Sequence, residues 1–596
     1  MREGGVPVVE RLYRKMAFAQ IASATTVTFC LLIDSFVIGR LLGPTALSAY
    51  GLSSPLLQIY AAFGNMLVCG VQVICGKYMG SGDREGMDRC FSTSIAVALI
   101  LSALALAAVM FGGKALVALL GAGAVSDQNM VARMTLGYLR GYTLGAPFFF
   151  LYQIMIPYMQ MLGKRRLIYS TVAVMTVTNM VFDFLSVYVF HAGMYGIGLA
   201  SGLSYLAGVL IPLAYFMLGR ERPFHFSGRA VSPCVAQGIF RNGTSMIFSD
   251  ICFVVSVYLI NQILLGAGGA NAVAAYSVIS TLSNLIFSIG YGTGSVTLTL
   301  SSVFYGDKDL SSILALIRKM VPFSLALMAC AVLFAGGFAP WLVGLFVGSD
   351  AVVSKMASTG LRIYTLGLLP AVLSFNFRSY FQGIRRRGHA YVVAVMRFLF
   401  PTILLKWLLS RILGVNGIWI GAVCGETIAL IAIAAAAWHS YGHISMSAEA
   451  FSFLSPDFDA GGASCLDLKI QNQREVVEAS ERVSRFCRDR GMEARQTMLL
   501  GLCVEEIGVN IIEYGFTGSS RSVRRKYAID VRVVVEEDRR YLRIRDNCAN
   551  FDPLKYMDLH RDDDPASHIG LRMVMGLVKE AVYGNSLGLN NLTLTL

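Results

Sequence analysis

The sequence predicts an all-α polytopic membrane protein of about twelve transmembrane helices, in two parallel six-helix repeats, followed by a soluble α+β domain. Three observations predict it. The 596 residues are 55% hydrophobic and only 15% charged, with a mean hydropathy of +0.60, where a soluble chain carries roughly 25% charged residues. Short matches recur between the two halves of the apolar region. After Trp438 the long apolar runs stop and ordinary soluble patterning begins.

A helix needs about 20 mostly apolar residues to cross the hydrocarbon core. Such runs lie near 16–39, 52–76, 91–111, 131–160, 167–190, 196–218, 238–262, 273–303, 319–342, 359–382, 390–410 and 416–438. Arg11, Arg14 and Lys15 precede the first run as in a signal peptide, but no small-residue cleavage site closes a short apolar core, so the run reads as a retained helix. The loops orient the bundle. Lys77, Arg84 and Arg89 follow span 2; Lys164, Arg165 and Arg166 follow span 4; Arg220, Arg222, Arg229 and Arg241 follow span 6. Lys308, Arg318 and Lys319 follow span 8, and Arg385, Arg386 and Arg387 follow span 10. The alternate loops hold only Arg40, Lys114, Arg133, Lys355 and Arg411. By the positive-inside rule this predicts a multi-pass protein of the cell membrane with both termini cytoplasmic. The net charge of +13 then belongs to those loops and implies no nucleic-acid partner. The twelve cysteines form no CxxC pair, and Cys30, Cys252 and Cys330 lie in apolar runs, so they read as reduced packing residues.

Leu47-Ser48-Ala49-Tyr50 reappears as Val273-Ala274-Ala275-Tyr276, and Gly80 and Asp83 reappear as Gly306 and Asp309, all at one offset of 226. Tyr138-Leu139-Arg140 resembles Gly360-Leu361-Arg362, and Tyr158 and Gln160 match Tyr380 and Gln382. An even number of spans per unit gives both copies the same orientation, as in the paired halves of secondary transporters. The lobes are assigned to 1–225 and 226–440, a polar linker to 441–465 and a soluble domain to 466–596. That domain reads as helices near 474–490 and 494–513, strands near 527–535 and 540–546, a helix near 570–580 and a strand near 590–596.

Charged residues inside spans are costly and mark function by default. Asp34 sits in span 1; Asn179 and Asp183 sit in span 5, four residues apart on one helix face. Together they suit a proton or a sodium ion. The counterpart of span 5 in the second half offers Arg397 and Lys406 instead. Asp250 and Glu426 remain as further transport candidates, and Glu426 suits equally a structural salt bridge to Lys406 or Arg397. No GxxxxGK[ST] loop occurs, which leaves an ion gradient rather than a P-loop ATPase as the driving force.

Residues 10–440 resemble the multidrug and toxic compound extrusion (MATE) family. The carrying features are Asp34 followed by Gly39-Arg40-Leu41-Leu42-Gly43, Leu47-Ser48-Ala49, Gly80-Ser81-Gly82-Asp83, Tyr138-Leu139-Arg140 and the Asn179/Asp183 pair. The resemblance implies an H⁺- or Na⁺-coupled antiporter exporting bulky, drug-like or cationic organic compounds. It implies that Asp34, Asn179 and Asp183 bind the coupling ion, with Ser201 or Ser204 in the hydroxyl place.

In the soluble region, Glu505-Glu506-Ile507-Gly508-Val509-Asn510, then Asp546-Asn547-Cys548-Ala549-Asn550, then Ser567-His568-Ile569-Gly570-Leu571 follow one another in the order of the two-layer GHKL ATPase fold. They resemble anti-sigma-factor serine kinases in particular. That resemblance implies ATP and Mg²⁺ as ligands, with Asn510 holding the metal, Glu506 as general base, Asp546 reading the adenine amino group and Gly570 opening a helix toward phosphate. The family usually has glycine where Cys548, Asn550 and His568 stand, and side chains there narrow the approach to nucleotide. A degenerate domain kept for docking a regulatory protein partner is the alternative. Three functions are thus carried forward: an ion-coupled exporter with a regulatory domain, a flippase for lipid-linked saccharides, and a membrane receptor serine kinase.

Overall fold

The computed structural model describes residues 7–122, 129–218, 224–346, 351–455, 458, 465–516, 527–535, 540–549, 551–559 and 569–596. The first lobe is built from α1 (Pro7–Val37), α2 (Pro44–Gly80), α3 (Arg84–Val117), α4 (Met130–Leu144), α5 (Ala146–Met161), α6 (Arg165–Tyr188) and α7 (Gly193–Leu218). The second contains α8 (Pro233–Gly306), α9 (Leu310–Gly337), α10 (Ala339–Gly344), α11 (Ala351–Tyr364), α12 (Leu368–Gly383), α13 (Arg387–Phe398), α14 (Thr402–Leu413) and α15 (Val415–Tyr441).

Ten helical stretches among the described residues are long and apolar enough to cross a bilayer. The two other predicted spans are helical as well: α1 runs 31 residues from a charged first turn, and span 4 is the pair α4–α5, which meet at Gly145. Spans 7 and 8 form the 74-residue α8, divided at Gly269, whose φ of +63° and ψ of −156° only glycine adopts freely. Pro401 separates α13 from α14 within span 11, because proline cannot continue the helical hydrogen bonding.

The duplication is visible as the same helix cap in both lobes. The Asp83 carboxylate accepts from the Gly86 amide at 2.7 Å and starts α3. The Asp309 carboxylate accepts from the Ser312 amide at 2.9 Å and starts α9. At this end of the bundle α2 and the second half of α8 cross so closely that a Cβ on Gly80 would meet the Val303 carbonyl, and one on Gly306 the Lys77 carbonyl. The lobes are therefore closed against each other on the side that carries the C-terminal domain.

The segment read from sequence as a polar linker is packed. Tyr380 donates to the Ser452 carbonyl at 2.6 Å, the Phe453 ring stands edge-on to Phe381 at 4.8 Å, and Phe458 stacks on Tyr305 at 5.1 Å. Its aromatic residues give it an apolar anchor that its overall polarity hides.

The domain that follows contains β1 (Cys465–Ile470), α16 (Gln473–Arg488), α17 (Ala494–Asn510), β2 (Ile529–Val535), β3 (Arg540–Asp546), α18 (Pro553–Leu559), α19 (Ile569–Leu577), β4 (Glu580–Ser586) and β5 (Leu589–Thr595). The strands form one antiparallel sheet in the order β1-β2-β3-β5-β4. Alternation along the strands sorts the two faces. Leu468, Ile470, Val531, Val533, Leu542, Ile544 and Leu594 join Val476, Val483, Leu500 and Val504 of α16 and α17 in one core. The opposite face carries Asp467, Asp530, Arg532, Arg543 and Arg545. The sequence reading missed β1, β4 and α18, and it ran the helix at 570–580 into what is the start of β4. It also extended α17 to 513, where the helix instead loosens into a π-turn at Ile511–Gly515.

Candidate functional site

In the first lobe α1 and α6 pack together and bring Asp34, Asn179 and Asp183 into one buried cluster, none more than 5% exposed. The Asp34 carboxyl lies within side-chain hydrogen-bonding reach of both Asp183 and Asn179. Asp34 Oδ1, Asn179 Oδ1 and both Asp183 oxygens are buried without a hydrogen-bond donor among the described residues. Buried polar atoms are normally satisfied, so four converging acceptors make a cradle whose missing element is positive: a metal cation or a shared proton. The rings of Tyr50 and Tyr138 close one side, edge-on at 5.4 Å. Both candidate hydroxyls are turned into α7 itself: Ser201 donates to the Ile197 carbonyl at 3.3 Å and Ser204 to the Ser201 carbonyl at 2.7 Å.

The other two acidic candidates lie elsewhere. Asp250 accepts from Asn65 Nδ2 of α2 at 3.4 Å, across the seam between the lobes. Glu426 is held in a two-point pair by Arg397, at 2.8 and 3.1 Å, so of its two suggested salt bridges the one to Arg397 forms. Sequence reasoning passed over Arg378 of α12, which is 2% exposed and donates to the Ser249 hydroxyl. Its signal was present: a cation inside the apolar stretch 363–382.

In the C-terminal domain Glu506 and Asn510 share one half-buried face of α17. Asp546 ends β3, and its Oδ1 accepts from the Cys548 amide at 2.8 Å and from Asn590 Nδ2 at 2.9 Å. Burial pushes the Asp546 carboxyl up and these hydrogen bonds pull it back. Gly570 is the second residue of α19, which packs on α17. Cys548 crowds the turn that follows α17: its Sγ stands 3.0 Å from where a Cβ on Gly515 would be. Asn550 and His568 lie outside the described residues.

A third cluster joins the domain to the bundle. On the polar face of the sheet Arg532 binds Asp309 at 2.9 Å, Arg543 binds Asp307 and, at 2.7 Å, Asp309, and Arg545 binds Asp307 at 2.8 Å. All three arginines are buried. Burial works to raise the Asp309 carboxyl, but Arg543, Arg532 and Arg545 together hold it well below the usual carboxylate range. Beside them burial pushes the Asp530 carboxyl up to about 7, with Arg545 opposing and Asp309 reinforcing the rise. The first lobe is gripped differently. Arg84 donates to the Tyr583 carbonyl, the Leu587 amide to the Met161 carbonyl, and Leu587 is buried in the apolar core of the bundle. Val8 of α1 packs with Ala528 and Leu589.

A family profile described as MatE matches residues 20–185 and 246–408, and one described as a histidine kinase-like ATPase domain matches residues 471–596. The multidrug export protein MepA of Staphylococcus aureus (strain bovine RF122 / ET3-1) is 20% identical over 407 residues, covering 67% of this chain and 87% of its own. The crystal structure of MATE in complex with MaL6 aligns with a TM-score of 0.67 at 20% identity, over 72% of this chain and 95% of that one. An outward-facing multidrug resistance MATE family transporter aligns at 0.66 and 22% identity, over 72% and 94%.

Proposed function

The chain belongs to the MatE family, and on that premise we propose that it is an antiporter exporting bulky, drug-like organic compounds in exchange for H⁺ or Na⁺. The observation that carries this reading is the buried cluster of Asp34, Asn179 and Asp183 in the first lobe, four of whose oxygens lack a donor among the described residues. Cation binding there stabilises one arrangement of the lobes, and cargo binding stabilises the other. Such exchange requires each ligand to prefer one state, since a ligand with equal affinity for both shifts nothing. The drug-like cargo is the class named for MepA. The Lys- and Arg-rich loops support a cytoplasmic position for the domain side of the bundle.

The C-terminal domain is the regulator. It grips the first lobe at Arg84 and Met161 and the second at Asp307 and Asp309, on the side where the lobes are closed. Parting the lobes there pulls one grip loose, so the docked domain favours the closed arrangement. The residues around α17 fit a Mg²⁺–nucleotide except where Cys548 crowds the space. Asn510 would hold the metal, Glu506 would serve as base, Asp546 would meet the adenine amino group, and Gly570 would offer its backbone to phosphate. When bound, the nucleotide supplies charge and bulk at the sheet end next to Asp546, one residue from the docking residue Arg545.

The test is efflux from proteoliposomes of the full chain under imposed proton or sodium gradients, with and without ATP. One of the two gradients should drive export, Asp183→Asn should abolish it without loss of expression, and ATP should change its rate. Undiminished gradient-driven export by the variant overturns the ion site.

A further inference from the structure

We propose that the second lobe contains an anion site built on Arg378, and that it takes the phosphate or carboxylate group of an amphipathic, aromatic-bodied molecule. The inference draws on the transporter reading for its setting and is independent of the cation cluster in the first lobe.

Arg378 and Arg397 are both buried guanidinium groups in the same lobe, at 2% and 4% exposure, and among the described residues only Arg397 is in a salt bridge. Arg397 has the carboxylate of Glu426 across two hydrogen bonds. Arg378 has a serine hydroxyl at Nη1, the sulfur of Met246 at 3.3 Å from Nη2, and no acceptor at Nε. Among the described residues no salt bridge joins it to an acid; Asp250, next to Ser249 in sequence, turns instead to Asn65 of the other lobe. A buried ion without a partner is strongly unfavourable unless function uses the charge.

The two guanidinium groups lie against one ring. The Arg378 and Arg397 guanidinium carbons lie 4.5 and 5.8 Å from the centre of one ring, Phe375. Arg397 Nη1 is also buried without an acceptor. A planar fork of N–H donors matches carboxylate and phosphate oxygens better than any other common group. Around it, Phe287 and Tyr291 stand edge-on to Phe375 at 5.5 and 5.4 Å, and Tyr291 is 43% exposed, so the ring cluster reaches the surface of the lobe, where an aromatic body can stack. Lys406, 4% exposed, adds a third buried cation to this lobe. The ligand is thus an anion, drawn either from the aqueous phase or from a lipid headgroup.

Phenyl phosphate titrated calorimetrically into the full chain in phosphatidylcholine nanodiscs tests the site. Saturable binding is expected, weakened at least tenfold by Arg378→Gln and less by Arg378→Lys. Asp250→Asn, which removes the nearest uncompensated negative charge, should bind as tightly or more tightly. Uncharged benzyl alcohol should not compete. Nanodiscs that also contain phosphatidic acid separate the sources: competition by the lipid identifies a headgroup ligand, and its absence a soluble one. No saturable binding by the wild type, or equal affinity in Arg378→Gln, overturns the proposal. Where Arg378→Gln does not elute as a folded protein, Arg378→Lys carries the test, and phenyl phosphate affinity in it equal to wild type overturns the proposal.

Discussion

The two lobes share a backbone plan and differ in what they bury. The first encloses carboxylates that lack a donor, at Asp34 and Asp183. The second encloses Arg378, Arg397 and Lys406, with Glu426 in a salt bridge to Arg397 and Asp250 turned to Asn65 of the first lobe. The same contrast recurs where the C-terminal domain docks. Its hold on the first lobe is backbone hydrogen bonding and the apolar Leu587; its hold on the second is a set of arginine–aspartate pairs. Asp83 and Asp309 make the lesson concrete. Both cap a helix at equivalent positions, but only Asp309 has been recruited by another domain. Duplication preserved what the helices need and released the remaining polar atoms for separate tasks.

Substitutions at matched acids sharpen or break this contrast. The largest effect is expected from Asp183→Asn, which should reduce gradient-driven efflux to background while thermal stability stays within about 1 kcal/mol of wild type, since the substitution removes a buried charge that has no partner. Glu426→Gln should do the reverse. It strands Arg397 and should cost about 3–5 kcal/mol of stability, read as a lowered melting temperature, with the coupling ratio of surviving protein unchanged. An uncoupled but fully stable Glu426→Gln protein would mean that both lobes handle the ion.

The docking acids give the next tier. Asp309→Ala should release the domain, read as faster amide exchange in β2 and β3 and a loss of about 3 kcal/mol, because it leaves buried arginines unpaired. Asp83→Ala should cost only about 1 kcal/mol, the value of a helix cap. Equal losses would mean that the arginines contribute nothing at the interface. The pH dependence of docking is of similar size to the loss of that cap. Asp530 is raised from 3.8 to about 7 in the docked protein, so docking takes up a proton that the released domain does not hold. The penalty is absent below pH 3.8, grows as pH rises to about 7 and is flat above it. Docking should therefore loosen roughly tenfold from pH 6 to pH 8, with exchange protection of β2 as the readout. The depressed Asp309 keeps its charge throughout that range and should lose it only in strong acid.

The sequence made the spans, the duplication and the acidic cluster legible for one physical reason: a bilayer admits few polar residues, so each exception is conspicuous. Arg378 shares its run with Arg362, the repeat partner of Arg140, and so stood out less. The domain was harder. β1 sits at the edge of a glycine- and serine-rich stretch, and β4 carries Gly584 and Asn585, which weaken a strand signal. The docking face was the least legible. Arg532, Arg543 and Arg545 alternate with apolar residues as on any solvated strand face, and only the fold brings Asp307 and Asp309 more than two hundred positions away in sequence against them.

The most direct measurement is ion release on cargo binding. Tetraphenylphosphonium added to the purified full chain in weak buffer, or in buffer carrying labelled sodium, should expel protons or sodium from the wild type and neither from Asp183→Asn. Cargo binding without release of either ion, or equal release by the variant, would contradict exchange at Asp34 and Asp183.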